Sequence, residues 1–547
     1  MIKQQQRWMC AVVGWAAGCV CVWSGVALGQ ATVDPLAQAG EAGRPAPAAE
    51  RVGPVLDAWW QEAVFYQVFV RSFADSTGDG IGDFRGMIER LDYLNDGDPE
   101  TDDDLGITGI WLMPIMPATS YHKYDTTDYM GVHPDHGTME DFRAFLAACE
   151  ARGIRVIIDL VLNHCSIEHP WFQAALDPES EYREWFIWRD EDPGWRGPWG
   201  QPVWHPSPAG DGTYYYGLFW RGMPDLNFEH KPVTEAMFEV IRFWLEDVGV
   251  AGFRLDAIRH LIEDGRVQEN TPQTHAWLRR YFEWTKEINP EAFSVGEVWS
   301  NSDAVSRYVG DQMDTAFEFD LSYRLVDVLR EQRKGRLVRQ LRLMDRLYPL
   351  GMYATFLRNH DQPRVLHELG GDRAAAALAA AIQFCLPGVP FIYYGEEIGM
   401  SATKPDRQLR TPMQWSNGAN AGFSTTTPWL APKPDFDRIN VAVKTNDPDS
   451  MLSHYRRLIR LRQAEPALRI GTLELEETGH PGVLAFVRRH EGRALLCVFN
   501  LTDGVVERAE LAWDQEWEPV RELLRGTEFP LERLEARGAW VLELPED

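Results

Sequence analysis

Short apolar runs recur along the chain, and an amphipathic segment follows most of them. The runs are AVFYQVFV (63–70), GIWLMPI (109–115), RVIIDLVLNH (155–164), GFRLDA (252–257), FSVGEVW (293–299), DTAFEFD (314–320), MYATFLRNHD (352–361) and PFIYYGEEIG (390–399). Between them lie stretches such as MEDFRAFLAACEARG (139–153) and VTEAMFEVIRFWLEDVG (233–249), whose apolar positions recur at helical spacing. Eight strand–helix alternations predict a parallel (β/α)8 barrel, the TIM barrel, over 55–467. The third connection breaks the rhythm. From His164 to Gly222 the chain is rich in Trp, Pro, Gly and Asp and has little helical pattern. It is too long for a loop and predicts a small domain inserted after the third strand, at 164–222. From 468 to 547 the pattern changes again. ELEE, GVLAFVRR, ALLCVFNL and AWVLEL are short alternating or apolar runs split by turns, which predict a C-terminal all-β sandwich domain.

The N-terminus belongs to none of these. Lys3 and Arg7 precede an apolar stretch beginning at Trp8 and ending in small residues near Gly29 and Ala31. That is the pattern of a secretory signal peptide (1–31), so a secreted or periplasmic protein is expected. Cys19 in AAGC offers a lipid anchor as the alternative; without it no stable membrane partner is expected. An Ala-, Pro- and Gly-rich linker (32–54) follows. The cysteines beyond the leader, Cys149, Cys165, Cys385 and Cys497, sit in mostly apolar contexts and are expected as buried thiols. The formal charge of −28 over 547 residues argues against nucleic acid as a partner, since phosphate repels it. The 22 tryptophans leave room for sugar-stacking faces besides core filling. A monomer is expected.

In a barrel of this kind the C-terminal strand ends line the active site. Four carboxylates fall there: Asp159, Asp256, Glu297 and Asp361. One alone would be an ordinary helix cap; four, three of them with His or Arg close in sequence, suggest chemistry. A retaining glycoside hydrolase needs two close carboxyls, one ionised to attack and one protonated to release the leaving oxygen. Arg254, two residues before Asp256 on the same strand, projects to the same face and can keep it ionised. Asp159 lies earlier on its strand and reads as a structural, hydrogen-bonding residue.

The motifs DLVLNH (159–164), MPDLN (223–227), GFRLDAIRH (252–260), GEVW (296–299) and FLRNHD (356–361) resemble those of glycoside hydrolase family 13, the α-amylase family. The resemblance implies Asp256 as nucleophile, Glu297 as acid/base and Asp361 as the carboxylate that grips sugar hydroxyls. It implies Arg254 as the residue orienting the nucleophile, and Tyr124, Asp125, His164, Arg259, His260 and His360 at the substrate. The substrate class is then an α-glucan or maltooligosaccharide. MPDLN and Arg259-His260 favour an endo-acting α-amylase. RTPMQWS (410–416) resembles α-glucosidases and trehalose synthases, which take short substrates, and a silent carbohydrate-binding barrel is the reading from another class. The loop DSTGDGIGD (75–83) resembles a Ca2+ loop of the oligo-1,6-glucosidase branch, with Asp75, Thr77, Asp79, Ile81 and Asp83 as ligand positions and Thr77 where an Asn-type ligand is usual. Asn163 corresponds to a ligand of a second Ca2+ in many α-amylases.

Overall fold

The computed structural model describes residues 46–47, 58–512, 518–526 and 532–545. The leader, Cys19 and all of the linker but 46–47 lie outside them. The described residues belong to one compact unit spanning 43–547. In chain order the strands are β1 (Phe65–Val68), β2 (Gly109–Leu112), β3 (Arg155–Leu160), then β4 (Trp188–Arg189), β5 (Trp204–Pro206) and β6 (Tyr214–Tyr216) of the long third connection. β7 (Gly252–Leu255), β8 (Phe293–Gly296), β9 (Thr315–Ala316), β10 (Ala354–Phe356) and β11 (Val389–Tyr393) follow. Eight of these form one parallel sheet in the order β10-β11-β1-β2-β3-β7-β8-β9. A parallel bridge from Phe317 to Ala354 joins the two ends and closes the barrel. All eight apolar runs of the sequence became barrel strands.

The strands are nearly continuous apolar runs because both of their faces are covered. Inside, rings fill the barrel: Phe65 stacks on Phe391 at 4.6 Å between centroids, and Phe317 meets Phe391 at 4.9 Å and Trp111 at 5.3 Å. Gly252 opens β7 with φ 145°, and a Cβ there would stand 1.9 Å from the Phe293 carbonyl oxygen. Only glycine lets β7 lie this close to β8. Outside, the helix Met139–Glu150 starts in a Thr138–Asp141 capping box and buries Phe142, Phe145 and Cys149 against the sheet. The third connection carries the antiparallel sheet β4-β6-β5 with its own small core of Val203, Trp204, Tyr216 and Leu218.

At the C-terminus β12 (Thr472–Glu476), β13 (Val483–His490) and β14 (Arg493–Asn500) pair antiparallel. β15 (Val506–Glu507), β16 (Arg521–Glu522), β17 (Arg533–Leu534) and β18 (Ala539–Glu543) complete a five-stranded sheet, β12-β13-β14-β18-β16, and a two-stranded one, β15-β17. The two-residue period of β13 and β14 sorts their side chains onto two faces. Leu484, Phe486, Leu495, Cys497 and Phe499 join the barrel core; Val483, Ala485, Val487, Leu496 and Val498 form a separate cluster with Val506, Leu534 and Trp540. Cys149, Cys165, Cys385 and Cys497 are free, buried thiols, as expected. No described helix is long and apolar enough to cross a membrane.

Candidate active site

The C-terminal strand ends open into a pocket of about 510 Å3. At its floor, one guanidinium organises three carboxylates. Arg254 Nη1 donates to Asp256 Oδ1 at 2.6 Å and to Asp159 at 2.8 Å, and Nη2 lies 2.9 Å from Glu297 Oε2. Arg254 is 1% exposed and has Trp111 and Tyr124 beneath its plane. Such an ion cluster survives burial because every charge has an opposite within hydrogen-bond reach. Strand pairing sets it up: Asp159 stands opposite Arg254 in the β3–β7 register, and the Asp256 and Glu297 amides bond to Leu160 and Leu255 as the next ladder steps. Ala257 then turns to φ 49°, a left-handed conformation costly for a residue with a Cβ. The turn aims its amide at Glu297 Oε2, 3.1 Å away. Strain at this point is repaid by a fixed carboxylate.

Asp361 is gripped from both sides. Arg410 Nη2 donates to Oδ1 at 2.7 Å, and His360 Nε2 lies 3.1 Å from Oδ2. Gln67 on β1 donates to His360 Nδ1 at 2.7 Å, which places the ring proton on Nε2, toward Asp361 and the Tyr124 hydroxyl. Tyr124 in turn donates to Asp159 Oδ2 at 3.1 Å. One chain of hydrogen bonds thus runs from Gln67 to Arg254.

Burial raises the acids here, and their neighbours decide how far. Asp256 is pushed up to about 6 by burial, with Arg254 opposing and Asp159 adding. Asp159 is likewise raised to about 6 by burial against Arg254. Glu297 is raised by burial, opposed by Arg254 and reinforced by Asp256 and Asp361. Asp361 is the exception: burial acts to raise it, but His360 and Arg410 hold it well below the usual carboxylate range. The site therefore pairs one carboxylate fixed as an anion with Asp159 and Asp256, whose protons exchange near pH 6, and with a Glu297 raised by burial.

Tyr124, His164, Arg259, His260, Asp256, Glu297 and Asp361 line the pocket. Arg254 and His360 stand one layer behind, acting through the residues they hold. His164 Nε2 donates to the Tyr124 carbonyl at 3.2 Å, and its ring is pushed down to about 4 by burial, so it is neutral. Arg259 Nε donates to His260 Nε2 at 3.0 Å. Asp125 departs from the expectation: its buried carboxylate accepts from the Thr119 and Ser120 hydroxyls and the Ser120 amide, so it shapes the loop that presents Tyr124 and does not reach the pocket.

Gln67, Arg410, Phe219 and Trp299 were not expected at the site. Gln67 was findable, as the single polar residue in an apolar strand. Arg410 belongs to the RTPMQWS motif, whose other side chains turn inward: Thr411 and Gln414 are fully buried and Trp415 Nε1 donates to the Phe73 carbonyl. Nothing local marks Arg410 as a partner for a carboxylate 49 residues earlier.

The expected calcium loop does not assemble a cage. Asp75 accepts the Gly78 and Gly80 amides, Asp79 accepts that of Ile81, and Asp83 caps the helix Phe84–Glu89 while accepting from Ser76. Thr77 donates to Asp75. Asn163 donates to Asp225 at 3.0 Å. Among the described residues no group of three or more His, Cys, Asp or Glu side chains converges as a metal site. The loop's carboxylates satisfy its own amides.

A family model described as "Alpha amylase, catalytic domain" matches residues 67–471. "Alpha-amylase 3" of Dictyoglomus thermophilum is 38% identical, over 81% of this chain and 86% of that protein. "Probable oligo-1,6-glucosidase 2" of Bacillus subtilis is 34% identical, over 83% and 92%. Among solved structures, the α-amylase from H. orenii is 39% identical, covering 88% of this chain and 99% of its own, with a TM-score of 0.80.

Proposed function

The chain belongs to the α-amylase family of glycoside hydrolases, and we propose that it is an α-amylase cleaving α-1,4-glucosidic bonds with retention of configuration. The observation that carries this reading is the pair Asp256 and Glu297 on one guanidinium at the pocket floor, with Asp361 fixed as an anion beside them. Double displacement needs its two carboxyls about 5 Å apart, whereas inversion leaves about 6.5–9.5 Å for water. Two carboxylates gripped by neighbouring nitrogens of one guanidinium support the shorter arrangement.

Arg254 takes Asp256 Oδ1 and leaves Oδ2 to attack the anomeric carbon. Arg254 and the Ala257 amide take Glu297 Oε2, leaving Oε1 to deliver its proton to the departing glycosidic oxygen. A glycosyl ester forms on Asp256. Glu297, now ionised, takes a proton from water as that water attacks the same carbon, restoring both residues. Asp361 grips hydroxyls of the cleaved sugar, and the neutral His164 and the hydroxyl of Tyr124 add contacts. The carboxylate of Asp361, held ionised beside the cleaved sugar, favours the oxocarbenium-like transition state.

Exposed aromatics at the pocket favour chains over disaccharides. Trp199 is 63% and Trp299 38% exposed, and both border the pocket, offering faces for sugars beyond the cleaved one. The RTPMQWS motif, which favours short substrates by resemblance, is occupied with holding Asp361 and packing against Phe73, so it weighs little on substrate length. The basic and apolar leader supports export, which the mass of the mature N-terminus tests. Product analysis on soluble starch and maltose tests the specificity. Mixed maltooligosaccharides with rapid loss of iodine staining are expected. Glucose from maltose with little attack on starch makes it an α-glucosidase, and trehalose from maltose makes it an isomerase.

A further inference from the structure

A second cavity, of about 680 Å3, shares no residue with the active-site pocket. It lies where the first turns of the helices Arg373–Cys385 and Met451–Ala464 meet residues 524–525 of the C-terminal module. We propose that this cavity binds a small organic phosphate, with the phosphate on its cationic wall and the organic body on its apolar floor.

Arg373, Lys444, Arg457 and Arg525 line it, and among the described residues none of the four forms an ion pair with a carboxylate. Arg457 donates to the Pro448 carbonyl at 2.9 Å, and Arg525 lies over the Trp540 ring. In a chain of net charge −28, acidic partners are abundant, and four cations left unpaired on one concavity stand out. The cavity lined by Arg324, Arg336 and Arg339 is the contrast: Asp327 and Glu331 pair with two of its three arginines, at 2.6 and 2.9 Å. Two carboxylates, Asp447 and Asp449, share the proposed site, and Asp447 is engaged by the Asp449 amide at 3.1 Å. Four cations against two acids leave the wall positive.

Two helix N-termini add to it. Asp372 caps one through the Ala375 amide and Ser450 the other through the Ser453 amide. The amides of Arg373, Ala374 and Met451, all bordering the cavity, find no partner among the described residues. Free first-turn amides and the helix dipoles favour an anion, and arginine forks suit phosphate oxygens. His454 stays neutral, pushed down to about 4 by burial with Arg457 adding. Phosphate alone would leave most of 680 Å3 empty; Ile398, Met451 and Leu524 supply a floor for a larger body.

Calorimetric titration with inorganic phosphate and with phenyl phosphate, at ionic strength matched with sodium chloride, tests this. The expected result is one site per chain with Kd of about 1 mM or tighter for phosphate, and tighter still for phenyl phosphate. Arg457→Ala with Arg525→Ala should weaken both at least tenfold while starch hydrolysis stays within twofold, and exposed Arg438→Ala should change neither. Absence of saturable heat, or equal binding by the double variant, overturns the site. Phenyl phosphate binding no better than phosphate overturns the organic body. No active-site residue is involved, so failure here leaves the glycosidase reading intact.

Discussion

Two buried arginine sites in this molecule solve the same problem in opposite ways. Arg254, at the open end of the barrel, is surrounded by carboxylates and raised well above its ordinary value by Asp159 and Glu297 despite burial. Arg462 and Arg488, at the seam between barrel and C-terminal sheet, are fully buried, and among the described residues no carboxylate pairs with either. Arg462 donates to the carbonyls of Phe384, Leu386, Gly388 and Leu468, and Arg488 to those of Thr472, Cys385 and Gly471. Burial lowers them to about 9 and about 10, which still leaves both cationic at neutral pH. Carbonyls ending the helix Arg373–Cys385 and opening β11 need donors, and one guanidinium supplies five. The seam thus uses cations to satisfy neutral backbone. The barrel end uses one to hold anions that would otherwise repel each other. The first arrangement serves stability, and the second keeps groups ready to react.

That contrast predicts a division of effects. The largest should come from Asp256→Asn, with kcat lower by about ten-thousand-fold or more, and Glu297→Gln, lower by about a hundred- to ten-thousand-fold. Melting temperature should hold or rise in both, since a crowded buried acid is removed; a collapse of the fold in step with activity would erase the distinction. Arg462→Ala should do the reverse. It orphans four buried carbonyls, costs about 3–5 kcal/mol in urea unfolding, and leaves kcat/KM of the folded protein unchanged. Arg462→Lys should recover less than half, because an ammonium cannot span carbonyls held on two nitrogens.

Arg410→Ala should lower kcat/KM by about 10- to 100-fold through a loosened Asp361. The acid limb of its pH profile should stay where Asp256 sets it, because His360 and Arg254 still hold Asp361 low. In the parent enzyme kcat/KM should fall as pH drops through about 6, where Asp256 takes up a proton. Stability linkage runs the other way. A carboxyl raised on folding contributes stability below its unfolded value that is lost as pH rises through about 6. Asp256→Asn should therefore flatten the stability profile in that window. The smallest effect belongs to calcium chelation. A 75–83 loop closed by its own hydrogen bonds should keep its melting temperature in EDTA, and a fall would mean that the carboxylates turn outward to hold a cation.

The barrel strands were legible because both their faces are buried, and an uninterrupted apolar run is the direct imprint of that environment. Asp256, Glu297 and Asp361 were legible because each follows such a run. Arg410 and the inward-turned RTPMQWS segment were not, since their meaning lies in a contact between residues 49 apart, with helices and a barrel strand in between. The orientation of Asp125 was hidden for a related reason. Its neighbour Tyr124 faces the pocket, and only the turn through Ser120 and Lys123, at φ 64°, decides that Asp125 faces inward. The 75–83 loop has the same dependence: acidic spacing is visible in sequence, but carboxylates choose between a cation and local amides by side-chain rotation.

The sequence by itself determined the order of strands and helices, the strand-end position of each reactive carboxyl and the two-faced C-terminal sheet. Each follows from local periodicity, in which apolar spacing is tied to burial through the fixed geometry of strand and helix. Tertiary structure alone decided which carboxylates share Arg254, which one His360 and Arg410 hold ionised, and which arginines answer to carbonyls. Those depend on distances between residues far apart in the chain, and ionisation responds to the nearest charges and the depth of burial.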